Sequence, residues 1–144
     1  MSYWDTSALV KLSVVEADSS QFHQLAGRAA PIVTAAITRF EARSVFRRRE
    51  AEGSLPTGEA VRLSGDMERD IARGKITVQA ENAEMEKRFN EVLERCYSQT
   101  PPVFIRTNDA LHLASVLVAG EKEFVSADAR QRAAAVLLGL NVLP

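Results

Sequence analysis

The segment Ser2–Leu12 has the sequence SYWDTSALVKL, and it decides how the rest of the chain is interpreted. Ser2–Trp4 is a short run ending in two aromatic residues, and an acid, Asp5, follows it at once. From about Ser7 the apolar residues recur with helical spacing. The segment therefore predicts a strand that leads directly into a helix, with a carboxylate at the junction.

The same alternation continues along the chain. Further strands are predicted at Ile32–Thr34, Ile76–Val78, Glu123–Ser126 and Asn141–Leu143. Helices are predicted at about Ser19–Ala29, from Thr38 to about Glu52, from a cap at Thr57 to Gly74, from a cap at Asn82 to Cys96, from Asn108 or Asp109 to Gly120, and from Asp128 to Leu138. Strands separated by helices require crossover connections, which predict a mostly parallel sheet with helices on both faces.

Composition sets limits without naming a function. The 144 residues contain no linker or repeat, so we expect one domain over residues 1–144. The net charge of -1 gives no global positive field for nucleic acid, so any such binding needs a local basic face. Cys96 is the only cysteine, which excludes an internal disulfide. The first residues do not resemble a signal peptide and the apolar runs are too short for a membrane span, so we expect a cytoplasmic protein.

Four acids stand where predicted strands end or where the following helices begin. Asp5 comes directly after a strand and Asp128 comes at the end of another, whereas Glu41 and Asp109 lie in the first turns of helices. Ligand sites of open parallel sheets lie beyond the carboxyl ends of the strands, so these acids can converge although they are far apart in sequence.

Each acid also has a purely structural interpretation, and singly that one is favoured. Acids stabilise helix N-termini, and Thr38–Glu41 fits a capping box in which Glu41 bonds back to the Thr38 amide. Together, however, four carboxylates near apolar segments would repel one another and need a counter-charge. Oxygen ligands suit Mg²⁺ or Mn²⁺. A zinc site is disfavoured because the chain has one cysteine and only two histidines, His23 and His112.

These residues lie in segments that resemble the PIN-domain ribonucleases, particularly the toxins of VapBC-type toxin–antitoxin pairs. The matching segments are Tyr3–Leu12, Thr38–Glu41, Arg106–Ala114 and Phe124–Arg130, in this order. The closing Gly139–Val142 matches as well.

The resemblance implies a three-layer α/β/α sandwich with an acidic pocket that binds Mg²⁺ or Mn²⁺. It assigns the catalytic and metal-binding carboxylates to Asp5, Glu41, Asp109 and Asp128. It further implies supporting roles for Ser7 and, more weakly, for Ser126, which can equally cap the following helix. Its implied partners are an RNA substrate, a cognate antitoxin and a second copy of the chain in a homodimer. Asn108 departs from the apolar residue that many relatives carry there, which affects the fine geometry and removes no acid.

A basic stripe is a possible RNA contact. Arg39, Arg43 and Arg47 recur every four residues on the helix that carries Glu41. They are expected either to hold RNA phosphates or to form a solvated face paired with Glu50 and Glu52, and the sequence leaves both interpretations open. It shows no evident aromatic platform for single-stranded RNA.

The working hypothesis is a metal-dependent endoribonuclease, the toxin of a toxin–antitoxin pair, that hydrolyses RNA phosphodiesters with a metal-activated water. One alternative is a PIN-like module that binds RNA or protein without catalysis; the presence of all four acids counts against it. Another is a different Mg²⁺-dependent phosphoryl-transfer enzyme. That chemistry normally uses a second acid two residues after the nucleophilic aspartate, whereas Asp5 is followed by Thr6 and Ser7.

Overall fold

A parallel sheet forms the middle layer of the protein in the computed structural model, which describes residues 1–28 and 31–144. Its strands are β1 (Ser2–Trp4), β2 (Ile32–Ala35), β3 (Ile76–Gln79), β4 (Glu123–Val125) and β5 (Asn141–Leu143). Their order across the sheet is β3-β2-β1-β4-β5, and each neighbouring pair is parallel. The first strand of the chain is therefore the central strand of the sheet.

Helices cover both faces of this sheet. They are α1 (Thr6–Val10), α2 (Ser19–Arg28), α3 (Thr38–Ala51), α4 (Glu59–Ala72), α5 (Ala83–Tyr97), α6 (Thr107–Ala119) and α7 (Ala129–Leu137). One apolar core joins the sheet to α1–α4, and a second joins it to α5–α7. The predicted three-layer α/β/α sandwich is confirmed, while the predicted contribution of Ala29 to the second helix lies outside the described residues. In the described ranges no helix is long and apolar enough to cross a membrane.

Successive residues of the central strands supply the two cores alternately. Tyr3 packs in the core of α5–α7 with Phe124, whereas Trp4 packs in the core of α1–α4 with Val125. Side chains of a strand point to opposite faces in turn, so strands buried on both faces need apolar residues at every position. All four of these side chains have no solvent exposure. The short, almost wholly apolar strands are explained by this double burial.

Most predicted helix ends are confirmed, but the predicted cap of α4 is not. Asp5, Asn82 and Asp128 cap α1, α5 and α7 through side-chain oxygens that accept backbone N–H groups. The prediction that Thr57 caps α4 is wrong. Gly58 takes that position with φ +90°, a left-handed conformation that glycine adopts without strain.

Two phenylalanines on α3 test whether the buried core of α1–α4 contributes most of the free energy of unfolding on this helix. Phe46 on α3 is 1% exposed within the core of α1–α4, while Phe40 on the same helix is 68% exposed. We expect Phe46→Ala to lower the free energy of unfolding by about 3–5 kcal/mol, because it removes a buried ring and leaves a cavity. Phe40→Ala, the matched control, changes it by less than about 0.5 kcal/mol. Urea unfolding measures both, and equal effects would contradict the assignment of the core.

Candidate active site

The Asp5 carboxylate lies at the carboxyl end of the central strand and is 1% exposed. Its Oδ1 accepts hydrogen bonds from Ser7 Oγ at 2.7 Å and from the Ala8 amide at 2.9 Å. Its Oδ2 accepts from Ser126 Oγ at 2.5 Å. Burial raises the pKa of this carboxyl, although the charge of His112 and the three hydrogen bonds act in the opposite direction. Both oxygens are thus held in place by groups that follow β1 and β4.

The two serines expected to support the site also hold the loop after β4. Ser7 Oγ accepts the Ala127 amide at 2.9 Å while it donates to Asp5. Ser126 Oγ accepts the Asp128 amide at 3.0 Å. Each hydroxyl therefore positions a carboxylate and a backbone segment at once. Ser126 does not cap α7, because Asp128 itself accepts the amides of the first turn.

Glu41 is positioned by contacts with other helices. Its Oε1 accepts from Thr6 Oγ1 at 2.8 Å and contacts His112 Nε2 at 2.7 Å, and its Oε2 accepts from Asn108 Nδ2 at 3.3 Å. Partial burial opposes ionisation, but the bonds from His112, Thr6 and Asn108 outweigh it and lower the pKa of Glu41. The predicted capping box is wrong: the Thr38 hydroxyl bonds to side chains, and α3 has no side-chain cap.

His112 forms hydrogen bonds with both the buried Tyr3 and Glu41. Burial raises the pKa of Tyr3 well above its usual value, and its hydroxyl forms a hydrogen bond with His112 Nδ1 at 2.9 Å. His112 Nε2 donates to the Glu41 carboxylate at 2.7 Å. His112 is 2% exposed, so its contact with Glu41 is a buried one.

Asp109 and Asp128 are joined by one guanidinium. Arg106 Nε donates to Asp109 Oδ2 at 3.1 Å, and Arg106 Nη2 donates to Asp128 Oδ2 at 3.4 Å. The other oxygen of Asp128 caps α7 through the Arg130 and Gln131 amides. Arg106 thus places a positive charge between two acids that start different helices.

All four acids line one cavity of about 320 Å³ at the carboxyl edge of the sheet. Lys11, Arg49 and Arg106 are its basic lining residues, and the first two are paired with Glu16. The predicted stripe is not part of this lining: Arg39 and Arg43 both bind Glu68 on α4. Arg39 and Arg43 therefore do not form the ion pairs with Glu50 and Glu52 that one interpretation of the stripe predicted.

A second cavity, of about 420 Å³, lies between α1, α3, α4 and β3. It is lined by apolar residues and by Arg62, Asp66 and Arg69. Both arginines form ion pairs with Asp66. None of the four predicted acids lines it. The smaller cavity is therefore the one that collects the four predicted acids.

Comparison with known proteins agrees with this geometry. The family model described as PIN domain matches residues 2–137. The chain belongs to the PIN-domain family. Two solved structures share the fold of this PIN domain: the sarcin–ricin loop cleaving toxin VapC20 of Mycobacterium tuberculosis, and VapBC-1 of nontypeable Haemophilus influenzae. No curated protein gives a significant match.

The structural likeness extends over whole chains at low sequence identity. VapC20 superposes with a TM-score of 0.70 at 18% identity, over 93% of this chain and 95% of its own. VapBC-1 superposes with a TM-score of 0.67 at 14% identity, over 99% of this chain and 96% of its own. At these identities the likeness concerns the fold.

The donor chemistry of the PIN-domain cavity fits a hard divalent cation. It offers carboxylate oxygens, and both nitrogens of its histidine, His112, already have hydrogen-bond partners. Within residues 1–28 and 31–144, no three acid, imidazole or thiol groups are already arranged as a metal site. Two of the four carboxylates, those of Asp109 and Asp128, are ion-paired with Arg106.

Several contacts of the site escaped the sequence analysis. Thr6 was visible only as a neighbour of Asp5, and Asn108 was noted as a departure, yet both hold Glu41. Arg106 stands three residues before Asp109, a spacing that brings side chains together on a helix and could have indicated the pair. Its second partner, Asp128, depends on the sheet order.

The buried tyrosine–histidine bond makes a testable contribution to stability. We expect Tyr3→Phe to lower the free energy of unfolding by about 1–3 kcal/mol, because it leaves a buried ring nitrogen of His112 without its hydrogen-bond partner. Tyr97→Phe is the matched control, since its hydroxyl meets the Ile105 carbonyl at 3.3 Å on the exposed surface. Urea unfolding at pH 7 compares the two variants. Equal losses would show that the buried bond contributes nothing particular.

The Glu16 carboxylate gives a pH-dependent prediction. The hydrogen bond from Lys11, together with the charge of Arg49, lowers its pKa below the usual 4.5. A lowered folded-state pKa stabilises the fold above the unfolded-state value, and this contribution is lost as the pH falls through the lowered pKa. We therefore expect Glu16→Gln to destabilise the protein at pH 7 by up to about 1 kcal/mol, and we expect this loss to shrink as the pH falls below 4.5 toward the lowered pKa.

Urea unfolding between pH 3 and pH 7 measures this difference. Glu81→Gln, at an exposed position, serves as the control and should follow the unsubstituted protein throughout. A constant difference between Glu16→Gln and the unsubstituted protein over the whole range would contradict the ionic origin of the effect.

Proposed function

We propose that this PIN domain, over residues 1–144, is a metal-dependent endoribonuclease. The observation that carries the proposal is the convergence of Asp5, Glu41, Asp109 and Asp128 on one cavity at the carboxyl edge of the sheet. The acids come from four separate parts of the chain. Apart from Arg106, the basic residues of the cavity are paired with acids outside this set. Such an excess of carboxylates favours the binding of Mg²⁺ or Mn²⁺ together with a phosphate group.

Asp5 and Asp109 would hold the ion directly, with Glu41 and Asp128 completing the site directly or through waters. A bound divalent ion lowers the pKa of a coordinated water and offsets the charge of a phosphodiester. Ser7 and Ser126 keep the Asp5 carboxylate in one orientation. These are the supporting roles we propose for the two serines.

Other groups would assist without holding the ion. The bonds of Glu41 to His112 and Thr6 keep this acid ionised and orient it toward the cavity. Arg106, which is largely exposed, can move from the acids to a substrate phosphate through its bidentate guanidinium. Arg39, Arg43 and Arg47 remain candidates for more distant phosphates, although Glu68 already partly neutralises the first two.

We also propose that the protein is the toxin of a toxin–antitoxin pair. The support is the whole-chain likeness in fold to VapC20, a sarcin–ricin loop cleaving toxin, and to VapBC-1. Its partners would then be RNA, a cognate antitoxin that blocks the acidic cavity, and a second copy of the chain in a homodimer. The place of action would be the cytoplasm.

Cleavage of RNA by the purified protein, free of partner, tests the proposal. End-labelled total tRNA is incubated with Mg²⁺ or Mn²⁺, or with EDTA. We expect discrete products that require the metal and that fall by about 100-fold or more in Asp109→Asn, because a lost metal ligand removes several kcal/mol of transition-state stabilisation. Asp70→Asn, an acid paired with Lys75 away from the cavity, should cleave normally.

The same assay separates the alternatives. Circular dichroism and urea unfolding must show that Asp109→Asn is folded. Metal-dependent cleavage that survives in this variant would refute the assignment of the site. If tRNA, mRNA and an RNA that contains the sarcin–ricin loop all remain intact, the non-catalytic binding module becomes the better description.

A further inference from the structure

An exposed aromatic pair lies at the end of the segment that leads into α6. Phe104 is 77% exposed, and its ring meets that of Tyr97 edge to face, with 5.9 Å between the ring centroids. Tyr97, at the end of α5, is 44% exposed. Neither ring belongs to the two apolar cores. A phenylalanine left this open adds nothing to the cores and is available to a ligand.

The backbone beneath this pair is held at several points. The Val103 amide donates to the Cys96 carbonyl at 2.8 Å, and the Tyr97 hydroxyl donates to the Ile105 carbonyl at 3.3 Å. Val103 and Ile105 pack against the core of α5–α7. The ring of Phe104 is therefore presented from a fixed segment, and a ligand that binds it need not order the chain first.

The same segment leads from Phe104 to Arg106, which lines the acidic cavity. Val103 and Ile105 face the core, so the alternating residues Phe104 and Arg106 both face outward. Two residues of chain can span at most about 7 Å, which limits the distance between the two Cα atoms. Arg106 binds Asp109 and Asp128 in the cavity. Phe104 and the proposed phosphate-binding Arg106 thus belong to one exposed segment that ends at the cavity.

We propose that Phe104, supported edge-on by Tyr97, is a stacking platform for an unpaired nucleobase of the RNA substrate. This inference rests on the proposed ribonuclease function and adds to it a preference for single-stranded or looped RNA. A base stacks on an aromatic ring whatever its sequence, while its phosphate meets a neighbouring cation. Phe104 and Arg106 supply this combination beside the acids.

The surroundings of the ring favour a nucleotide over a second protein. The exposed residues nearest in sequence are Pro101 and Pro102 on one side and Arg106, Thr107 and Asn108 on the other. The core of a protein interface is more continuously apolar than a ring pair with a cation and hydrogen-bonding groups on one side. A nucleobase needs both an aromatic face and polar groups at its edges.

Binding of a fluorescein-labelled single-stranded RNA tests the platform, with Asp109→Asn as the background so that the RNA stays intact. Fluorescence anisotropy should show roughly 5- to 150-fold weaker binding on adding Phe104→Ala, the range found for the loss of one base–aromatic stack. Phe104→Trp should keep the affinity, whereas Phe104→Leu should lose it, because leucine retains apolar area without a ring. Val61→Ala, which truncates a 60% exposed apolar side chain on α4, is the matched control.

Two further arms identify the base and exclude a simpler cause. RNAs with one abasic position each should include one for which Phe104→Ala has no added effect, because the stacked base is already missing. A fully duplex RNA of the same length should bind equally to both proteins. Urea unfolding should give the same midpoint with and without Phe104→Ala.

The outcomes separate this inference from the proposed function. If the background variant binds no RNA and the unsubstituted protein cleaves none, both proposals fall. If RNA binds and the Phe104 variants bind equally well, only the platform is refuted. If Phe104→Ala changes the oligomeric state in light scattering and leaves RNA affinity unaltered, the pair belongs to an interface between two copies of the chain, and the platform is again refuted.

Discussion

A carboxylate buried at the end of the central strand constrains most of this structure. An ionised group that is 1% exposed is costly unless donors replace its hydration. Asp5 finds them in two hydroxyls, from Ser7 and Ser126, and in the Ala8 amide. The Asp5 amide also donates to the Val125 carbonyl at 3.1 Å, which extends the pairing of β1 with β4. The residue therefore ends a strand, starts a helix and ties two neighbouring strands together, and these ties fix where its oxygens lie.

The other side of the cavity is built by contacts across the sheet edge. Glu41 belongs to α3, on one face, while His112 belongs to α6, on the opposite face, and the two meet at 2.7 Å. Tyr3 reaches His112 from the middle layer. All three layers therefore contribute to the position of one carboxylate. The bond between His112 and Glu41 thus orients an acid and at the same time joins the two helical layers of the sandwich.

Charge divides the cavity surface into regions with different roles. The four acids collect at the carboxyl edge of the sheet, and Arg106 is the cation that touches two of them. Lys11 and Arg49 are held by Glu16 and contribute little free positive charge. The chain has a net charge of -1, so an RNA substrate would be held by local contacts rather than by a global field. An aromatic ring next to a guanidinium is a contact of this kind, because stacking does not depend on net charge.

The sequence by itself determined the α/β alternation, the parallel sheet and the four acids, because these follow from short-range patterns and from the rule that parallel strands end at one edge. Predictions from the sequence were wrong where a side chain could bond either to a residue nearby in sequence or to a distant one. Thr38 and Glu41 have the spacing of a capping box, yet Glu41 bonds to Thr6 and His112. Only the tertiary structure decided these partners, and only it left the ring of Phe104 in solvent. Such choices depend on which elements the sheet order makes neighbours, and no local pattern contains that information.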